Sequence, residues 1–369
     1  MSLSTPMPER ESWWRGAGSS SISSSLAVIV ALVAGGVVIA LTGSDPIDAY
    51  KALFEGAFGG RSEIAETLVS ATPLILGGLA FAIAARAGMF NIGIEGQLVM
   101  GAFVAGIVGT YDFGPQPIGL LVSLAAGVAA GAIWGMIPGL LKAVSGAHEV
   151  ITTIMLNYLA LRMVSYAVNN SEWLPVNPPL QATDPVLEAN ALPIILDGTR
   201  LHAGIIIAVL AAIVLWWLLF RSVYGFKVRT VGNSPGAARY GGINWKWTIV
   251  IAMVISGALA GLGGASETLG LQGRFYNVSP GYGFTAIAVG LVGRNHPLGV
   301  IAAGLLFGVL RAGATEMQNS ADVSKEIVQV LQGLVILAVA ASAYVATQRQ
   351  KRAAAKAAVS RATVQGVEA

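Results

Sequence analysis

The chain has 369 residues, of which 55% are hydrophobic and only 11% charged, with a mean hydropathy of +0.70; a soluble domain carries about 25% charged residues, so this is the composition of an integral membrane protein. The absence of cysteine excludes a disulfide framework, a thiolate metal site and a cysteine nucleophile, and three widely separated histidines (His148, His202, His296) argue against a histidine metal cluster. The net charge of +3 sits in short segments between apolar runs, a topological pattern rather than a nucleic-acid-binding one.

A spanning helix takes about 20 mostly apolar residues. Ten runs qualify as candidates: 22–41, 64–84, 92–108, 118–141, 150–168, 203–220, 247–265, 282–292, 298–310 and 327–346, the eighth and ninth being short for an ordinary span. The expected fold is therefore an all-α membrane protein of about ten transmembrane helices. The first run follows Arg10 and Arg15, but it exceeds a signal-peptide core and lacks an A-x-A site, so it reads as an uncleaved span. With both termini cytoplasmic, 15 of the 22 Lys and Arg residues fall inside and 6 outside, which supports that orientation over its inverse.

On this topology residues 1–21 are a cytoplasmic tail, 22–346 the membrane domain and 347–369 a basic cytoplasmic tail suited to the anionic inner leaflet. The polar, proline-rich segment 169–202 is an external cap or docking surface. The cytoplasmic segment 221–246 carries five basic residues and no acid, and includes the helix-compatible stretch NSPGAARYGGIN. Trp216, Trp217, Trp245 and Trp247 flank it as interfacial anchors.

Two sets of five spans would have opposite orientation, as in the inverted repeats of transporters built with broken helices. Each half carries a glycine-rich polar interruption, GMFNIGIEGQ and ETLGLQGRFYNVSPGYG. Such paired interruptions are the sequence pointer to a solute site. Glu66, Glu95, Arg162 and Glu267 lie within or at the edge of apolar runs, where a charge faces a cavity or a partner, or snorkels to the interface from a span end. Asn91, Glu95 and Gln97 are polar groups among glycines at a helix start; they either meet solute or hold neighbouring helices together. Thr153 and Asn157, with Arg162, form a polar stripe on the fifth run, with the same two readings. Phe275, Tyr276, Tyr282 and Phe284 can stack on a flat solute or anchor the interface. The candidate solute route is thus Asn91, Glu95, Gln97, Thr153, Asn157 and Glu267, with no metal and no catalytic residue.

None of the seven lysines follows a glycine, so the chain has no P-loop. It also lacks the H-E-x-x-H signature of the zinc hydrolases. Three stretches, ARAGMFNIGIEGQLVMGAF (85–103), GAHEVITTIMLNYLA (146–160) and RTVGNSPGAARYGGIN (229–244), together resemble the permease subunits of bacterial ABC importers of the branched-chain amino acid and simple sugar group, and within it the nucleoside-uptake branch. The resemblance implies a translocation subunit that works with a second permease, a cytoplasmic ATPase holding ATP and Mg, and an extracytoplasmic binding lipoprotein; no cofactor belongs to this chain. It also implies that Asn233, Ser234, Pro235, Gly236, Ala237, Ala238, Arg239, Tyr240 and Gly241 form the segment that docks on the ATPase, although the Glu that opens this motif in many ABC permeases is missing. A sugar importer of the same architecture is the alternative, and a proton-coupled carrier using Glu95 or Glu267 a more distant one.

Overall fold

The computed structural model describes residues 29–277, 281–324, 326–338 and 341; the tails expected at 1–21 and 347–369 lie outside the described residues, as do 22–28 of the first run and 342–346 of the tenth. The chain divides into two compact units. One contains α1 (Ile29–Leu41) and α13 (Glu326–Ala338), both shorter than a span within the described residues. The other, Ile47–Lys325, holds the remaining elements.

In the larger unit α2 (Pro46–Phe58) precedes α3 (Arg61–Arg86), α4 (Ile94–Gly109), α5 (Ile118–Ser145) and α6 (Glu149–Asn170). Then come strands β1 (Val176–Asn177) and β2 (Ala182–Thr183), followed by α7 (Gly204–Arg221), α8 (Val223–Asn233), α9 (Pro235–Tyr240), α10 (Trp245–Glu267), α11 (Tyr282–Val292) and α12 (Pro297–Ala321). Among the described residues six helices are long and apolar enough to cross a membrane by themselves: α3, α5, α6, α7, α12 and α10 with the π-helical turn Thr268–Gln272 that extends it. The fold is nearly all helical.

Two sequence expectations need correction. The ninth run ends at Leu310 by hydropathy, yet α12 continues to Ala321, because the polar residues of RAGATEMQNSA alternate with Ala312, Gly313, Ala314 and Met317, which are buried against neighbouring helices. Residues 46–58, read as a connection, form α2, whose Ala49, Ala52, Leu53 and Ala57 are buried. The segment 169–202 carries a short hairpin: β1 and β2 pair antiparallel, with Val176 opposite Thr183.

Packing rests on small residues. Gly127, Gly131, Gly135 and Gly139 recur every fourth position of α5 and meet α10, where a Cβ at Gly131 would lie 2.3 Å from the Gly257 carbonyl oxygen and 2.6 Å from the Gly261 Cα. Without a hydrophobic drive inside lipid, close backbone approach of this kind is what holds helices together. α3 is buried along most of its length among α7, α10, α11 and α12, whereas α5, α6 and α7 expose apolar side chains such as Leu121, Met155 and Leu210 outward. A charge-poor periphery around a packed centre suits a lipid solvent.

Candidate functional site

The polar interruptions of the two halves meet. Ile94, the first residue of α4, and Ala286 of α11 both lie against Gly77 of α3. Gly77 is nine residues before Arg86, about 14 Å along the helix, and Gly283 lies about 5 Å deeper still, near the middle of α3. From there α4 runs toward the end of the bundle that carries 171–203, with Gly109 against Val186, and α11 runs the other way, toward Arg86 and α8. These are two half-length helices of 16 and 11 residues whose N-termini face each other at mid-depth. The backbone leading into α4, residues 87–93, is irregular, and irregular backbone at membrane depth must be satisfied by protein groups.

It is. α4 has no side-chain cap at its own N-cap, Gly93. Asn157 of α6 supplies one instead: its Oδ1 accepts from the Gly96 N–H at 2.8 Å, and its Nδ2 donates to the Ile92 carbonyl at 2.9 Å. Thr153, one turn earlier, accepts from the Ile92 N–H at 3.3 Å. Asn91 accepts from the Gly93 N–H and donates both to Gln97 (3.0 Å) and to Ser256 of α10 (2.9 Å), which itself donates to the Ala80 carbonyl. The Glu95 carboxylate accepts from the Gly283 N–H at 2.5 Å, bridging the starts of α4 and α11. Asn91, Glu95, Gln97, Thr153 and Asn157 are therefore one buried network.

Glu267 lies elsewhere. It ends α10, is only 8% exposed, and helps line a cavity of about 290 Å³ with Leu98, Val99, Ala102, Thr268, Gln272, Arg274, Phe275 and Tyr276. That volume is at the lower edge of ligand pockets, which run from about 300 to 1,000 Å³. Gln272 donates to Glu267 at 3.3 Å and the Tyr282 hydroxyl to the same oxygen at 3.4 Å, while the Arg311 guanidinium stacks 4.2 Å from the Tyr282 ring centroid. The cavity pairs apolar and aromatic walls with a carboxylate, an amide and a guanidinium. Gln272, Arg274 and Ser256 escaped the sequence reading, the first two because hydropathy treats a polar loop as undifferentiated, the last because one serine does not interrupt an apolar run. Residues 278–280 of the second interruption lie outside the described residues.

The other charges found in apolar runs part company. Glu66 pairs with Arg200 of the 169–202 segment at 2.8 Å, while Arg162 is exposed on the outer face of α6. At the opposite end of the bundle, 221–246 forms two helices. Ser222 caps α8 through the Gly225 N–H and Ser234 caps α9 through the Ala237 N–H. From Asn233 to Gly241 every residue is exposed except Ala238, which is fully buried on Ala84, Met89, Val231, Ile249 and Met253. Ala238 thus anchors α9 to its own chain, while Tyr240, 98% exposed, points outward.

Spanning helices, two half-helices meeting at mid-depth and a small polar-aromatic cavity define a multi-pass membrane protein with the parts of a transport channel. The chain belongs to the family described as the branched-chain amino acid transport system permease component, whose pattern matches residues 63–340. It is 41% identical to the guanosine ABC transporter permease protein NupP of Bacillus subtilis, over 86% of this chain and 92% of that one. It is 34% identical to the nucleoside ABC transporter permease protein NupB of Lactococcus lactis, over 90% and 94%. A glucose ABC transporter permease protein of Haloferax volcanii is 36% identical over 85% of each chain. No solved structure matches.

Proposed function

We propose that this chain is the translocation subunit of an ATP-driven importer of nucleosides, without an ATPase site of its own. The observation that carries the reading is the 41% identity to a guanosine permease along nearly the whole of both chains. The cavity is consistent with it. A nucleoside offers a flat base to Phe275 and Tyr276 and hydroxyl and amine donors to Glu267, and each such hydrogen bond contributes about 0.5 to 1.5 kcal/mol net, weak enough for release. Glu267 is then the solute contact, and Asn91, Glu95, Gln97, Thr153 and Asn157 hold the broken helices that shape the route.

The same reading includes about ten spans, both termini in the cytoplasm of a bacterial cell, and an inverted five-plus-five repeat. The repeat is supported by the correspondence of α3 and half-helix α4 with α10 and half-helix α11. The assembly further comprises a second permease, an extracytoplasmic binding lipoprotein and an ATPase carrying ATP and Mg that docks on α9 through its exposed residues. The glucose permease relative favours sugar as the second reading. Uptake of labelled guanosine by a deletion strain complemented with the gene separates the two: unlabelled nucleosides should compete and glucose should not, and Glu267→Leu should abolish uptake while the protein still inserts. Competition by glucose alone overturns the nucleoside assignment.

A further inference from the structure

At the end of the bundle that carries α8 and α9, two arginines share one aromatic ring. The guanidinium of Arg86, the last residue of α3, lies 5.5 Å from the centroid of Phe220, and that of Arg229 on α8 lies 5.4 Å from it. The His296 ring packs on the same phenyl at 5.1 Å. Arg86 spends its Nε–H on the Asn295 carbonyl (2.9 Å), in the turn between α11 and α12. Two polar atoms here are buried without a hydrogen-bond partner: Nη1 of Arg229 and Oδ1 of Asn295.

Such a group is costly to leave unpaired, and a like-charged neighbour adds to the cost. Among the described residues no carboxylate lies within 4.0 Å of either guanidinium; the ion pairs present, Lys51–Glu55, Lys142–Glu149 and Arg200–Glu66, are elsewhere. Segment 221–246 has no acid at all. Arg86, Phe220, Arg229 and His296 are each half-buried, so the cluster borders the surface, although Nη1 of Arg229 is itself closed to solvent. We propose that Arg86 and Arg229 form a socket for an acidic side chain of the partner ATPase, a second contact beside α9.

Guanidinium pairs suit a carboxylate because their fixed N–H forks grip both of its oxygens. A protein partner fits better than a lipid headgroup. α3 is ringed by α7, α8, α10, α11 and α12, so its end lies in the interior of the bundle face, whereas lipid meets the outward sides of α5 and α6. Arg229 also belongs to the helix directly preceding α9, whose exposed surface is the one available for docking. The site rests on the reading of this chain as an ABC permease, but not on α9 being the contact.

The test is the affinity of the purified cognate ATPase for the permease assembly in nanodiscs, measured over a series of KCl concentrations. Arg229→Gln and Arg86→Gln should each weaken binding about tenfold and flatten its salt dependence, while Arg229→Lys keeps the dependence. Neutralising Asp and Glu residues on the ATPase one at a time should reveal one whose loss is not additive with Arg229→Gln. Tyr240→Ala is the control for α9: if it weakens binding while both Gln variants, monodisperse by gel filtration, bind as the parent does, the socket is refuted and the α9 contact stands. The reverse pattern refutes the α9 contact and keeps the socket. Loss of the Arg229→Gln effect when phosphatidylglycerol is replaced by phosphatidylcholine assigns the site to lipid and overturns the proposal.

Discussion

Replacing Asn157 with leucine separates holding the fold from touching the solute. The asparagine caps a helix that is not its own: Oδ1 takes the Gly96 N–H and Nδ2 the Ile92 carbonyl. Leucine removes both partners. Each stranded backbone group costs about 1 to 3 kcal/mol when no water can reach it, giving about 2 to 6 kcal/mol for the pair. The added apolar bulk recovers little, since a Cβ at Gly96 would lie 3.0 Å from the Asn157 Cα and the site has no slack. Asn157→Asp keeps the acceptor for Gly96 and loses only the donor, so it should fall between parent and leucine. Heating detergent-solubilised protein and recording the monodisperse fraction by fluorescence-detected gel filtration should show the leucine midpoint lowered by several degrees, with uptake reduced in step with the folded protein remaining. A leucine variant with the parental midpoint and no uptake would refute the capping argument and put Asn157 on the solute route.

Further outcomes follow from the same geometry. Gly261→Val should prevent assembly altogether, because a Cβ there meets the Gly127 carbonyl oxygen at 2.5 Å and the Gly131 Cα at 2.9 Å; a folded variant recovered in parental yield counts against backbone contact between α5 and α10. His202, 2% exposed and wedged against Gly204 and Gly270, is held to a pKa of about 4 by burial. The unfolded chain therefore binds a proton that the folded one refuses, and stability should fall by up to about 3 kcal/mol as pH drops from 6.5 toward 4, a loss that His202→Gln should remove in pH-dependent melting. Arg200→Ala breaks an ion pair whose partners are both partly exposed, so it should change stability by under about 1 kcal/mol and leave uptake unchanged; a transport defect would return Glu66 to the route. Glu95→Gln, which keeps an acceptor for Gly283 but removes charge, should lower the melting point by an amount equivalent to about 1 kcal/mol, and a midpoint equal to the parent's would rule out a role for the charge.

How legible this protein was from its sequence depended on the length scale of the signal. Long apolar runs such as 64–84 and 118–141 were located to within a few residues, since twenty apolar residues leave a chain few alternatives in lipid. α2 and the second half of α12 were missed because their buried faces are mostly alanine and glycine, with one larger apolar residue each (Leu53 and Met317), among polar neighbours that lower the hydropathy of the stretch. The glycines of GMFNIGIEGQ and the later GYG marked the right places, but not that Glu95 and Gly283 touch across 188 positions. The resemblance marked 233–241 as one docking stretch, but not that Ala238 turns inward, since which side of a six-residue helix is covered depends on its neighbours in space.

The position of Glu95 explains why the two interruptions had to be together. A helix N-terminus carries about half a positive charge, and α4 and α11 bring two such ends face to face at a depth where water cannot screen them. Left alone, the ends would repel and their first-turn N–H groups would lack partners. A carboxylate between them answers both problems, since Glu95 belongs to the first turn of α4 and accepts from the first turn of α11. Gly283 is required at the other side of that contact: a Cβ there would fall 2.3 Å from the Glu95 backbone nitrogen, so only a residue without one lets the tips approach. The polar and glycine residues of the two interruptions are thus complementary halves of one joint. Anything that alters the spacing of α4 and α11 must move this joint, and the cavity walls contributed by Leu98, Val99 and Ala102 of α4 would move with it.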